Sequence, residues 1–213
     1  MMRSLTDVIP IDDCTFLARG SLRDVYVHPD DDTVLIKVIR RDMIGDDGHP
    51  SDSVGKRERP WGVYLAFRRE LDEYMVCARR RIGDPAFRYP FSRPLGLVET
   101  THGLGLLVER IGTADAPAPT LAQLNAEGRL TQAHLATIDR FFDYCAAHHV
   151  VLGDVHLGNL VLDPADPGRA ICIDGFGEKT LIPAHRYSRR LNRRALERKR
   201  EKLHRAVAAA SDA

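Results

Sequence analysis

The stretch "VVLGDVHLGNLVL", residues 150–162, is apolar apart from Asp154, His156 and Asn159, and a second apolar run, "RAICID", ends in Asp174. Carboxylates are rarely left in apolar surroundings unless they are paired, hydrogen-bonded or bound to metal. One reading is local: Asp154 and Asn159 close a tight turn between two strands, and Asp174 opens the "DGFG" turn. The other is phosphoryl transfer, a chemistry in which a protein mainly positions groups and neutralises charge. There one carboxylate orients an attacking hydroxyl, while an Asn and a second Asp hold the magnesium that bridges the phosphates. Asp154, Asn159 and Asp174 fit those three roles in that order.

Such a site needs cationic and backbone partners upstream. "VLIK", in a β-branched run, resembles the V-A-I-K strand of the protein kinase-like superfamily, which makes Lys37 the candidate for the α- and β-phosphates of ATP. Glu70, in "FRRELDEY", is its candidate ion-pair partner, with Glu73 one turn later as the fallback. Taken singly, Lys37 reads as a snorkelling strand residue and Glu70 as a solvated helix charge. The order of strand Lys, helix Glu, loop Asp and Asn and later Asp is harder to obtain by chance. The phosphate loop is the weakest element. Aligned on Val25 with that superfamily's G-x-G-x-x-G-x-V pattern, "ARGSLRDV" puts Ala18, Gly20 and Arg23 where three glycines are expected, so backbone amides around Gly20 and Ser21 are the candidates for phosphate contact, with Arg23 as a further one.

The pattern D-x-H-x-x-N in "LGDVHLGNLVL" resembles the catalytic loop of the protein kinase-like superfamily, in the form found among kinases of small molecules. "DGFG" replaces that superfamily's D-F-G, keeps Asp174 and moves the aromatic to Phe176. The succession "LARGSLRDVYVHPDDDTVLIKV", "RREL", catalytic-type loop and "ICIDGFGEKTLIP" is similar to the YrbL family, also described as PhoP regulatory network proteins, across nearly the whole chain. The resemblance implies an α+β, compact two-lobed kinase-like fold, with an antiparallel N-lobe over 1–110 and a truncated helical C-lobe over 111–213. It also implies a place in a bacterial regulatory network. About forty residues follow Asp174, too few for the usual docking platform of a protein substrate, which favours a small hydroxyl-bearing acceptor. Three functions stay open: an ATP- and Mg2+-dependent phosphotransferase, a nucleotide-binding pseudokinase, and a basic-tail binding module on an inert scaffold.

The elements that must position these residues are legible from periodicity. "CTFLAR", "DVYVH" and "DTVLIKVIR" read as three strands, and "PLGLVET" and "GLGLLVERI" as two more around the turn "THG". From Trp61 to Arg80, Leu65, Phe67, Leu71, Tyr74, Met75 and Ala78 recur at helical spacing. Residues 40–60, polar and without period, read as a lid or a disordered segment, and "GTADAPAP" as a linker. A short helix at "TLAQL" and a long one at "TQAHLATIDRFFDYCAAHH" follow.

Composition is that of an ordinary globular chain: 213 residues, 44% hydrophobic and 29% charged. No apolar run reaches the length of a membrane span and the N-terminus lacks a signal-peptide core, which predicts a cytoplasmic protein. The four cysteines lie far apart with no metal-ligand spacing and are expected reduced and mostly buried. Ten Lys/Arg against Glu197 and Glu201 give the segment Arg186 to Arg205 a charge of about +8, in a chain whose net charge is +1. Leu191, Ala195, Leu196, Leu203 and Val207 make a stripe on that helix. The stripe predicts either packing on the C-lobe, with the charges solvated, or contact with an anionic surface. Specific nucleic-acid readout is not expected, since aromatics are nearly absent from the tail.

Overall fold

The computed structural model describes residues 7–51, 60–113, 116–179 and 182–211. The protein is α+β, and its chain divides into two compact units: residues 1–71 with 93–110, and residues 72–92 with 111–213.

The first unit is built on five antiparallel strands, β1 (Phe16–Arg19), β2 (Arg23–His28), β3 (Asp31–Ile39), β4 (Pro94–Thr100) and β5 (Gly103–Glu109), in the order β1-β2-β3-β5-β4. Alternation along β3 sorts its side chains onto two faces. Ile36 and Val38 pack with Ile9 and Ile11 on one. Leu35 and Ile39 pack on the other with Phe67 and Leu71 of helix α1 (Leu65–Gly83). Lys37, two residues from each of those apolar neighbours, is sent to the same helix-covered face, where it pairs with Leu106 of β5 in register.

Helix α1 starts later than its apolar pattern suggests. Gly62 has φ +46° and a side chain there would meet Gly48 O at 2.4 Å, so the chain enters through a 3-10 turn, Gly62–Tyr64, before the α-helix begins. Within the helix the apolar pattern misplaces one residue. Met75 is exposed and Cys77 is fully buried, because the buried positions run 67, 70, 73 and 77. Residues 41–51, expected to lack structure, form a 3-10 turn and a closed loop in which Gly45 N donates to His49 O (2.7 Å) and Ser51 N to Met43 O (3.0 Å). The rest of that stretch, 52–59, lies outside the described residues, as do residues 114 and 115 of "GTADAPAP".

The second unit holds helices α2 (Leu121–Ala126) and α3 (Gln132–Ala147), the hairpin β6 (Leu160–Asp163) and β7 (Asp166–Cys172), and helices α4 (Ala184–Tyr187) and α5 (Arg189–Ser211). Thr120 caps α2 reciprocally with Gln123. Its core gathers Phe87, Phe91, Ile138, Phe142, Leu160 and Phe176, and α5 adds Leu196, Leu203 and Val207. The basic helix therefore packs its stripe as one of the two expectations had it, although Leu191 stays exposed. Asn192 Nδ2 donates to Val150 O (2.9 Å), His204 meets Asp139 (2.8 Å), and Arg200 pairs with Asp143 and Asp139. All four cysteines are free, and Cys77, Cys145 and Cys172 are buried. Burial pushes the Cys77 thiol up to about 12 and that of Cys145 well above its ordinary value, so neither is a nucleophile at neutral pH. No described helix is long and apolar enough to cross a membrane.

Candidate functional site

In the first unit, period two on β3 and the turn of α1 bring Lys37 and Glu70 together. Lys37 Nζ lies 3.5 Å from Glu70 Oε2, and both side chains are almost wholly buried. Arg23, at the start of β2, donates through Nη1 to Glu70 Oε1 at 2.6 Å and is itself buried. One carboxylate thus bonds two cations in a low-dielectric setting. Arg23, a candidate for phosphate contact from its sequence position, has this carboxylate as its partner.

The turn that precedes Arg23 is closed on itself. Gly20 N donates to Arg23 O (2.7 Å), and Arg40 Nη1 reaches Gly20 O (3.0 Å) and Ser21 O (3.4 Å). A side chain on Gly20 would approach Arg23 O to 3.1 Å, so the tight closure explains the glycine. Ser21 is exposed at the tip. The Gly20 amide is engaged inside the turn.

In the second unit, Asp154, Asn159 and Asp174 stand on two loops stitched together by backbone. Gly153 N and Asp154 N both donate to Gly175 O (2.9 and 2.6 Å), Gly177 N donates to Val151 O (2.9 Å), and Ile173 N to Asn159 O (2.8 Å). Asn159 Nδ2 donates to Asp154 O (3.0 Å), which turns its Oδ1 the other way as an acceptor. Gly175, next to Asp174, has φ +76°, and a side chain there would sit 2.3 Å from Asp154 O and 3.1 Å from Asn159 Nδ2. Only glycine allows the two loops to lie this close. Phe176 then stacks on Phe91, ring centroids 4.3 Å apart and nearly parallel, which fixes the turn from the core side. Of the whole run 150–162 only Leu160–Asp163 is strand. Residues 150–156 are irregular and Leu157–Asn159 is a 3-10 turn, so the polar side chains sit where the backbone leaves the ladder.

Asp154 is half exposed and its Oδ2 lies 2.7 Å from Lys179 Nζ. That hydrogen bond holds the carboxyl below the usual carboxylate range, with smaller pulls from His156 and Lys199 of α5. Asp154 is therefore a carboxylate at neutral pH. Lys179 was not singled out from sequence. Its signal is the lysine of "DGFGEK", on the short segment that leaves the Asp174 turn.

Glu73, the fallback partner for Lys37, has a different job. It is completely buried, accepts from Val151 N (3.1 Å) and pairs with Arg186. Burial pushes its carboxyl up, opposed by Arg186 and the Val151 amide. The charge anchors the chain three residues before Asp154.

Among the described residues no group of three or more His, Cys, Asp and Glu is placed to hold a metal ion. Asn159 and Asp174 offer instead an oxygen pair of the hard type. A magnesium ion is commonly held by one or two such side chains together with waters and substrate phosphates, and the donor set fits that pattern. The model of a protein family described as PhoP regulatory network protein YrbL matches residues 9–208. The chain belongs to the YrbL family. Both residue groups lie inside the matched span of this YrbL-family protein. Comparison with curated proteins finds no match.

One feature near the loop is open to a direct pH test. His149, just before the loop, carries φ +52° and ends α3 in the left-handed conformation that Asn and Gly tolerate best. Its Nε2 meets His185 O at 2.7 Å. Burial holds the imidazole below its ordinary value of 6.5, and Arg80, Arg186 and Arg189 push in the same direction. The unfolded chain therefore binds more protons than the folded one as pH drops below 6.5, and stability should fall through that window. His149→Asn should flatten the slope of unfolding free energy against pH in urea titrations run from neutral to mildly acidic conditions. An unchanged slope would place the titration elsewhere.

Proposed function

We propose that this YrbL-family protein is a kinase-like, two-lobed phosphotransferase that uses ATP and magnesium to phosphorylate a small hydroxyl-bearing acceptor. The family description supports a role in a bacterial regulatory network. The observation that carries the chemical reading is the interlocked loop pair: Asp154, Asn159 and Asp174 held on adjoining backbone with a glycine at the contact. Lys37, kept in place by Glu70, is the residue for the α- and β-phosphates. Asn159 Oδ1 and the Asp174 carboxylate are the magnesium ligands. The metal would supply charge neutralisation on the phosphates. Asp154, ionised beside Lys179, accepts a hydrogen bond from the acceptor hydroxyl and orients it for attack. Lys179 adds positive charge next to the developing transfer.

A second reading is favoured by one observation. The Gly20 N–H, an amide that a phosphate loop would offer to nucleotide, is spent on Arg23 O. A chain that binds nucleotide weakly there and transfers nothing would be a pseudokinase.

Thermal unfolding with nucleotide tests the assignment first. ATP with magnesium should raise the melting temperature through mass action on the folded state, and ATP with EDTA should not. Asp174→Ala should abolish the metal-dependent shift. No shift in the wild type at millimolar ATP, or an undiminished one in the variant, would count against the ligand assignment.

A further inference from the structure

Within the second unit, α3 and β7 border a cavity of about 200 Å3 that shares no lining residue with the Asp154, Asn159 and Asp174 loops. Its floor is apolar. Phe141 is buried there, and Tyr144 presents its ring with the hydroxyl already spent: it accepts from Arg88 N (2.8 Å) and donates to Arg88 O (2.9 Å). Burial pushes the Tyr144 phenol up, so that hydroxyl stays neutral.

The polar lining is lopsided. Three guanidiniums, Arg88, Arg140 and Arg169, share it with one carboxylate, Asp166. Arg169 is fully engaged, with Asp163 Oδ2 at 2.8 Å and Tyr89 O at 2.5 Å. Arg88 stands 3.6 Å from Asp166, a loose exposed pair. Arg140 donates only to neutral acceptors, Gly168 O (3.3 Å) and Thr137 Oγ1 (2.8 Å), and meets no carboxylate among the described residues. Pairing Arg169 with Asp163 and Arg88 with Asp166 leaves one uncompensated positive charge, on Arg140, at the edge of an aromatic floor. With Nε and Nη2 held by Gly168 O and Thr137 Oγ1, the Arg140 Nη1 is left to donate a charge-assisted hydrogen bond to a carboxylate. Size narrows the partner further, because an apolar cavity of roughly 150 Å3 is enough to hold benzene.

We propose that this cavity is a second ligand site, for a small aromatic monocarboxylate whose ring lies on Phe141 and Tyr144 and whose carboxylate pairs with Arg140. The site is independent of nucleotide and of phosphoryl transfer. Ligand-observed NMR titration of the full chain tests it with three probes: benzoate, benzamide with the ring but no charge, and acetate with the charge but no ring. Benzoate should bind saturably, and each of the other two about tenfold more weakly or worse. Arg140→Gln should weaken benzoate by about tenfold or more while leaving benzamide unchanged. Arg88→Gln, on an exposed side chain, provides a second variant and should weaken benzoate less. Equal affinity for benzoate and benzamide, equal affinity for benzoate and acetate, or benzoate binding untouched by Arg140→Gln in a folded protein would each overturn the proposal.

Discussion

Asp154→Asn should lower phosphoryl transfer by about a hundred- to ten-thousand-fold while leaving the fold and the affinity for ATP with magnesium in place. The replacement is nearly isosteric, and the backbone bonds that hold the loop do not involve the carboxylate: Asp154 N donates to Gly175 O, and Asp154 O accepts from Asn159 Nδ2. The side chain instead faces Lys179 at 2.7 Å and solvent. Under the proposed function its loss would remove the acceptor that aligns a hydroxyl with the γ-phosphate, worth roughly 3 to 5 kcal/mol of barrier. An exposed ion pair with Lys179 contributes little to stability, so unfolding should be almost unchanged. The measurement is phosphate release or transfer by both proteins, with hydroxyl acceptors supplied as a mixed metabolite pool. Should both show the same residual rate while both bind ATP, the regulatory pseudokinase replaces the enzyme.

The two residue groups differ in how much of their geometry is local. Lys37 and Glu70 are legible because each obeys a short-range rule: alternation on β3 puts Lys37 on the side of Ile39, and helical spacing puts Glu70 between Phe67 and Leu71. The same helical rule could not tell Met75 from Cys77. The buried stripe runs through two carboxylates, Glu70 and Glu73, on the way to Cys77, and an apolar pattern leaves those out. Lys179 and Arg186 escaped for the opposite reason. Their partners lie far off in sequence, with Arg186 and Glu73 separated by 113 residues, and no periodicity carries such a pairing. The basic helix was legible through its spacing more than through its charge. Its charge left open a surface for anions, and its apolar stripe predicted packing; Leu196, Leu203 and Val207 do pack into the core of the second unit. Gly20 shows the limit of motif reading: the residue stands at the phosphate-loop position, yet its amide closes its own turn.

Glu73 should prove the most costly side chain to remove near the loop. Its carboxylate is completely buried and accepts from Val151 N while pairing with Arg186, whose side chain is mostly buried. Glu73→Ala leaves a guanidinium without its counter-charge and a buried amide without its acceptor, a combination that costs about 3 to 5 kcal/mol. Glu73→Gln retains an acceptor for Val151 N and should fall between the variant and the wild type. Burial nevertheless pushes the Glu73 carboxyl up, so its partners do not fully offset the desolvation of the charge. An ion pair of that kind can be exchanged for apolar side chains with little loss. The double variant Glu73→Leu with Arg186→Leu should therefore recover most of what Glu73→Ala loses, with a large coupling energy in the double-mutant cycle. Urea unfolding gives the stabilities, and hydrogen exchange at the Val151 amide reports the anchor itself, which should open faster in Glu73→Ala. A loss under about 1 kcal/mol, or Val151 exchange as slow as in the wild type, would show that the loop is held by its bonds to Gly175 and Gly177 and not by this charge.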